Sequence, residues 1–175
     1  MIRRLVYRAR QFLLALFAAP DEAERAWVQR VLAPPLSALF LRMTPDEQAH
    51  AIRVYRRLRD EGHTSEALLQ AALLHDVGKA ACPPLRPWER VLIVVCKALW
   101  PDAVFLWGQA APKGWRRPFA VAVQHPLWGA QAAQKAGAAP EVVTLIRRHQ
   151  ENLPDLPKTP LESLLILLQA ADDAS

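Results

Sequence analysis

Apolar positions recur three and four residues apart along most of this chain, the period of a helix with one buried face. The punctuation between those stretches is equally helical. Thr44-Pro45-Asp46-Glu47 has the form of a capping box with proline at the first helical position, and Gly62 stands where that helix should stop. A second helix is predicted from about 65 to 77, apolar nearly all round and ending at Gly78. The prolines of "CPPLRP" force a turn before a helix at about 88–99. His125-Pro126 and Ala139-Pro140 each read as a helix start, with Gly137 closing the helix between them. Thr159-Pro160-Leu161-Glu162 repeats the capping pattern before the last helix, and 21–42 reads as two short helices broken at Pro34-Pro35. No alternating strand pattern and no internal repeat is present, so the expectation is one compact all-α domain.

The first residues need separate treatment. "MIRRLVYRARQFLLALFAAP" opens basic and turns apolar, as a signal peptide does, yet Phe17 spoils a small-residue cleavage site before Pro20. Leu5, Ala9, Phe12, Leu13 and Leu16 fall at helical spacing, which favours an amphipathic helix packed on the domain over one lying on a membrane surface. Residues 1–44 are therefore read as a helical extension and 45–175 as the domain proper.

Charge adds a restriction. The net charge is +5, but Arg3, Arg4, Arg8 and Arg10 supply four of the 22 basic residues; the remaining 18 face 17 acids. A broad nucleic-acid surface is not expected from so even a balance. Cys82 and Cys96 are too few for a disulfide framework and read as reduced thiols of a cytoplasmic protein. The longest apolar run, "VLIVVCKALWPDAVFLW", is interrupted by Lys97, Pro101 and Asp102, which disfavours a membrane span.

The polar residues on apolar faces carry the chemistry. His50 shares a stripe with Val54 and Leu58, so it faces inward. "ALLHDVGK" delivers His75 and Asp76 at the end of the buried helix, with Lys79 suited to a helix C-terminus. Leu161, Leu165, Leu168 and Asp172 make one stripe, which selects Asp172 over Asp173 as the inward carboxylate. Singly, each histidine is more often a hydrogen-bonded structural residue than a ligand. Jointly, two inward imidazoles and two inward carboxylates are costly unless paired or coordinated, and a divalent cation satisfies all four. Mixed imidazole and carboxylate donors suit Mn, Fe, Co, Ni or Zn. His125 and His149, at helix ends, are two further candidate ligands, and His63 is left on the surface.

These motifs resemble the HD superfamily of metal-dependent phosphohydrolases, in its small stand-alone form. "HAIRVYRRL" from His50 is similar to the first-histidine helix, "AALLHDVGK" to the central signature and "QAADDAS" to the closing Ala-Asp. "HPLWGA" at His125 and "RRHQE" at His149 resemble two more histidine motifs found where the centre holds two metals. The resemblance covers roughly 45–175 and leaves the extension outside. It implies one divalent transition metal on His50, His75, Asp76 and Asp172, and a second on His125 and His149 with Asp76 bridging. It further implies a metal-activated hydroxide attacking a small phosphate ester or nucleotide, with Asp76 and Lys79 as the catalytic residues. Lys79 would meet the substrate phosphate. Arg53 and Arg148 are weaker phosphate candidates, each with a surface salt bridge as the simpler reading.

Relatives that cleave cyclic dinucleotides carry His-His-Glu followed by Gly-Tyr-Pro. Here Gln150 replaces the second histidine and the Gly-Tyr-Pro element is absent, which disfavours that substrate and a third metal. The expectation is a cytoplasmic phosphohydrolase, peripheral to a membrane only if its arginine-rich first helix binds one. The alternative is a catalytically weak metal- and nucleotide-binding regulatory module.

Overall fold

The computed structural model describes residues 19–153 and 156–175, so the amphipathic reading of the first 18 residues lies outside the described part. Among the described residues nine α-helices and two short 3₁₀ turns make up the fold, and there is no strand. The all-α class is as expected. In chain order the helices are α1 (Glu22–Val31), α2 (Pro34–Leu41), α3 (Pro45–Asp60), α4 (Glu66–Leu74), α5 (Pro87–Leu99), α6 (Pro101–Gly108), α7 (Arg117–Lys135), α8 (Pro140–Arg148) and α9 (Pro160–Asp173). The 3₁₀ turns are Val77–Ala81 and Gly114–Arg116.

Most helix starts follow the sequence punctuation. Asp21 and Glu24 close a reciprocal capping box on α1, with the Glu24 N–H donating to Asp21 Oδ1 at 2.7 Å. At α3, Glu47 accepts from the Thr44 N–H at 3.0 Å, while Thr44 Oγ1 is buried without a partner, so only half of that box is made. The Thr159 hydroxyl accepts from the Glu162 N–H at the start of α9. Gly62 and Gly137 take φ of +88° and +83°, the left-handed conformation that ends α3 and α7 at no steric cost.

Helix α4 is the centre of the molecule, packed against α2, α3, α8 and α9. Its Leu68, Ala71, Ala72, Leu73 and Leu74 are fully buried, which is why its sequence shows no polar face. Val28, Leu32, Leu36 and Phe40 of α1 and α2 join the same core as Leu145, Ile146, Leu165 and Leu168 of α8 and α9. A smaller core of Cys96, Val104 and Phe119 joins α5 and α6 to α7. The buried Glu89 of α5 is held by Arg117, which donates from Nη1 at 2.8 and 3.0 Å and thereby pins α5 to α7.

Two boundaries differ from expectation, both near the site. His125-Pro126 does not start a helix; it lies inside the single long α7. Pro118, at the true start, leaves no orphan donor, whereas Pro126 leaves the Ala122 carbonyl without its helical partner. The central helix ends at Leu74, not Val77, because Asp76 turns to φ −94°, ψ 0° and the chain tightens into the 3₁₀ turn. That turn lies against α7 at Gly78 and Gly129, where backbone meets backbone.

Candidate metal centre

Five elements converge on one end of the bundle. α3 brings His50, the junction after α4 brings His75 and Asp76, α7 brings His125, the end of α8 brings His149 and α9 brings Asp172. His75, Asp76, His125 and His149 are all buried, each at most 5% exposed. His50 and Asp172 stand at the rim, with side chains 23% and 28% exposed. The two expected ligand sets appear as two clusters of close donor atoms, His50–His75–Asp76 and Asp76–His125–His149. Asp172 joins the first, 2.7 Å from His50 Nε2 and 3.5 Å from His75 Nε2.

Asp76 belongs to both clusters. Its Oδ1 lies 3.2 Å from His125 Nε2 and 4.0 Å from His149 Nε2, while its Oδ2 lies 3.5 Å from His75 Nε2. Lys79, one turn on in the 3₁₀ segment, places Nζ 2.6 Å from the same Oδ2. This is a partly exposed ion pair, and it sets Lys79 in the pocket wall rather than at a helix end.

The backbone fixes the imidazole tautomers. Nδ1 of His75, His125 and His149 lies 2.9, 2.9 and 2.7 Å from the carbonyls of Ala72, Val121 and Ile146. A carbonyl only accepts, so each Nδ1 carries a proton and each Nε2 is aimed into the site. His125 Nε2 and His149 Nε2 then face each other at 3.3 Å. His75 Nε2 is buried with no hydrogen-bond partner, since 3.5 Å exceeds a good N–H···O contact. Opposed lone pairs and an orphaned buried nitrogen fit a cation: the Asp76–His125–His149 group could hold a metal ion.

Electrostatics divides the two clusters. Burial pushes His149 down to about 3, helped by the neighbouring His75 and His125, and burial also lowers His125. Both are neutral and ready to ligate. Burial acts on His75 in the same sense, but the charges of Asp76 and Asp172 override it and raise the ring to about 10. Burial opposes ionisation of both carboxylates too. The cations Lys79 and His75 nonetheless hold Asp76 well below its usual range, and the bond from His50 with the charge of His75 does the same for Asp172. Lys79 is raised against burial by Asp76.

A sign for metal binding follows. Below about pH 10 His75 holds a proton that a metal on the first cluster must displace, so affinity there rises with pH. Between pH 7 and 9 the gain approaches about tenfold per pH unit for the one proton released. Titration calorimetry with Mn²⁺ in buffers of differing ionisation enthalpy reads that proton directly. Affinity independent of pH over this range would contradict the assignment.

Above the cluster opens a cavity of about 320 Å³ with two characters. It is lined by His50, Asp76, His125 and Asp172 together with Lys79 and Arg53, and also by the apolar side chains of Leu85, Ile93, Val94, Val121 and Ala122. Arg53 also donates from Nε to the Ser175 carbonyl at 3.3 Å. Arg148 pairs with Glu151 at 2.7 Å and is not among the residues lining this cavity. His63 stays partly exposed beside Glu61, 3.8 Å away.

Glu47, Arg90 and Lys97 line the cavity and were not anticipated. Glu47 lies one turn before His50 on α3, and burial raises its carboxyl. Arg90, Ile93, Val94 and Lys97 recur at helical spacing on α5 and form its cavity face, with Arg90 ion-paired to Asp46. The i, i+3, i+4, i+7 spacing of those four was a readable signal. Comparison with known proteins finds no matching family, no matching curated protein and no matching solved structure.

Proposed function

We propose that the chain is a metal-dependent phosphohydrolase of the HD superfamily type, acting on a small phosphate ester or nucleotide. The observation that carries this reading is the convergence of three imidazoles, tautomerically fixed by backbone carbonyls, on a buried carboxylate they share. The order of the motifs along the chain supports the family. The mixed donor set favours Mn, Fe, Co, Ni or Zn, held as one or two ions. A divalent ion bound here supplies Lewis-acid charge at a phosphoryl oxygen and acidifies a coordinated water.

The chain's own residues do the rest. His75, His125 and His149 present Nε2 in fixed orientation, and Asp76 offers one oxygen to each cluster. Lys79, Arg53 and Lys97 line the cavity and supply positive charge against phosphate oxygens. The apolar side chains of Ile93 and Val94 suit the organic part of an ester or a base. Arg148, engaged with Glu151, has no part in this reading.

The test is turnover by the full chain loaded with Mn²⁺ or Co²⁺ on a panel of phosphate monoesters and nucleotides, read as released phosphate or nucleoside. Activity dependent on metal and removed by chelation is expected. Gln150, a cavity-lining amide where relatives that cleave cyclic dinucleotides carry histidine, favours a second reading as a regulatory metal and nucleotide binder. Bound metal and bound nucleotide with no turnover on the panel would replace the first reading with the second.

A further inference from the structure

Helix α5 has three faces, and one of them is out of place. Glu89, Leu92 and Cys96 turn toward α7 and the small core. Arg90, Ile93 and Lys97 turn to the cavity, roughly 100° round. The remaining face should be polar, yet it carries Trp88, Val91, Val95 and Leu99, exposed at 57, 50, 44 and 61%. A helix face of this composition is ordinarily buried.

The exposure continues past the end of α5. Trp100 joins α5 to α6 and is 57% exposed, and Phe105 and Leu106 on α6 reach 64 and 71%. Trp115, in the following 3₁₀ turn, is 59% exposed. Nine of the thirteen exposed large apolar residues in the described chain fall between 88 and 115, so the exposure is concentrated rather than scattered.

Charge indicates what covers it. In the segment 82–118, Arg86, Lys113 and Arg116 are exposed away from the cavity and have no acidic partner among the described residues. Asp102 is the one exposed acid of the segment, since Glu89 is buried against Arg117. Exposed tryptophans among aliphatic side chains, edged by unpaired cations, are the composition of a surface that sits in a lipid headgroup layer. A protein partner would be expected to bring acids to meet those cations; an anionic bilayer meets them with headgroups and takes the apolar side chains below.

We infer that the α5–α6 hairpin docks this protein on an anionic lipid surface, with its exposed tryptophan, phenylalanine and leucine side chains entering the headgroup region. The docking face and the cavity face lie on opposite sides of α5, so docking leaves the cavity free.

The test is co-sedimentation of the full chain with phosphatidylcholine vesicles, with and without phosphatidylglycerol. Binding is expected to be about tenfold tighter with the anionic lipid, to weaken in high salt, and to shift tryptophan emission to the blue. The double variant Phe105→Glu, Leu106→Glu changes only exposed positions and leaves residues 1–18 intact. It is expected to keep wild-type helicity and metal content while losing about tenfold or more in vesicle binding. No binding to anionic vesicles, or binding unchanged in the double variant, overturns the inference. Self-association in solution that the double variant abolishes, without vesicle binding, would give the face to a second copy of the chain instead.

Discussion

Asp76→Ala is expected to remove metal binding from both clusters at once and to take any turnover down to background. No other side chain in the site has this reach. Asp76 offers Oδ1 to His125 and His149 and Oδ2 to His75, and it is the partner of Lys79 as well. Without it the Asp76–His125–His149 cluster has two neutral imidazoles and no negative charge. The first cluster keeps Asp172, at the rim. A loss of about 100-fold or more in affinity is expected, larger than that for a residue that only orients a ligand. The metal-free variant also loses stability, by about 3 kcal/mol, since the charges of His75 and Lys79 lose their shared counter-ion. Asp76→Asn separates the two effects, because it keeps an oxygen in place but not the charge. Asp173→Ala is the control, adjacent to Asp172 but exposed. Metal content by mass spectrometry after dialysis, beside phosphate release, reads all three. Wild-type metal content in Asp76→Ala would end the assignment of a shared carboxylate.

The sequence carried this far because helical phase is a strong signal when a polar residue interrupts an apolar stripe. His50 with Val54 and Leu58, and Asp172 with Leu165 and Leu168, were readable in that way, and both side chains reach the same site from α3 and α9. Phase could not place His75 relative to Asp76. That depends on where α4 stops, and the stop is set by packing of the following turn on α7, a tertiary contact. His125-Pro126 misled for a similar reason. Proline is common at helix starts, and here the helix runs on through Pro126 with its residues buried on both sides of it, at Phe119, Val121 and Ala130. The stretch 82–118 was opaque because its apolar residues serve three directions. With core face and exposed face both apolar and the charges of Arg90 and Lys97 on the cavity face, apolar periodicity does not tell the buried side from the exposed one. Arg90 and Lys97 were hidden in the same stretch, although their spacing alone aligned them.

Gly78→Ala is expected to be the most damaging substitution outside the ligands, and for a reason of space rather than backbone conformation. A Cβ on Gly78 would lie 1.9 Å from the His125 carbonyl oxygen, 2.5 Å from the Gly129 nitrogen and 2.8 Å from the His125 carbonyl carbon. These are backbone atoms of a long helix, and no rotamer change moves them. Gly129 answers from the other side, where its own Cβ would come within 3.0 Å of the Gly78 nitrogen. The contact is what holds the turn carrying Asp76 and Lys79 at the correct height on the helix carrying His125. To reach an ordinary separation the turn must lift by more than about 1 Å, which takes Asp76 Oδ1 away from its 3.2 Å approach to His125. The expected cost is about 3 kcal/mol or more, a drop of roughly 10 °C in Tm for a chain of this size, together with weakened metal binding. Gly62→Ala provides the contrast. Its Cβ would meet nothing within 4 Å, but φ is +88°, so the cost is backbone strain of about 1 kcal/mol, remote from the site. Thermal denaturation with and without Mn²⁺ distinguishes the two. Gly62→Ala should keep the full metal-induced rise in Tm and Gly78→Ala should lose most of it. A Gly78→Ala protein with wild-type Tm and the full rise would mean that the turn does not rest on α7 as described.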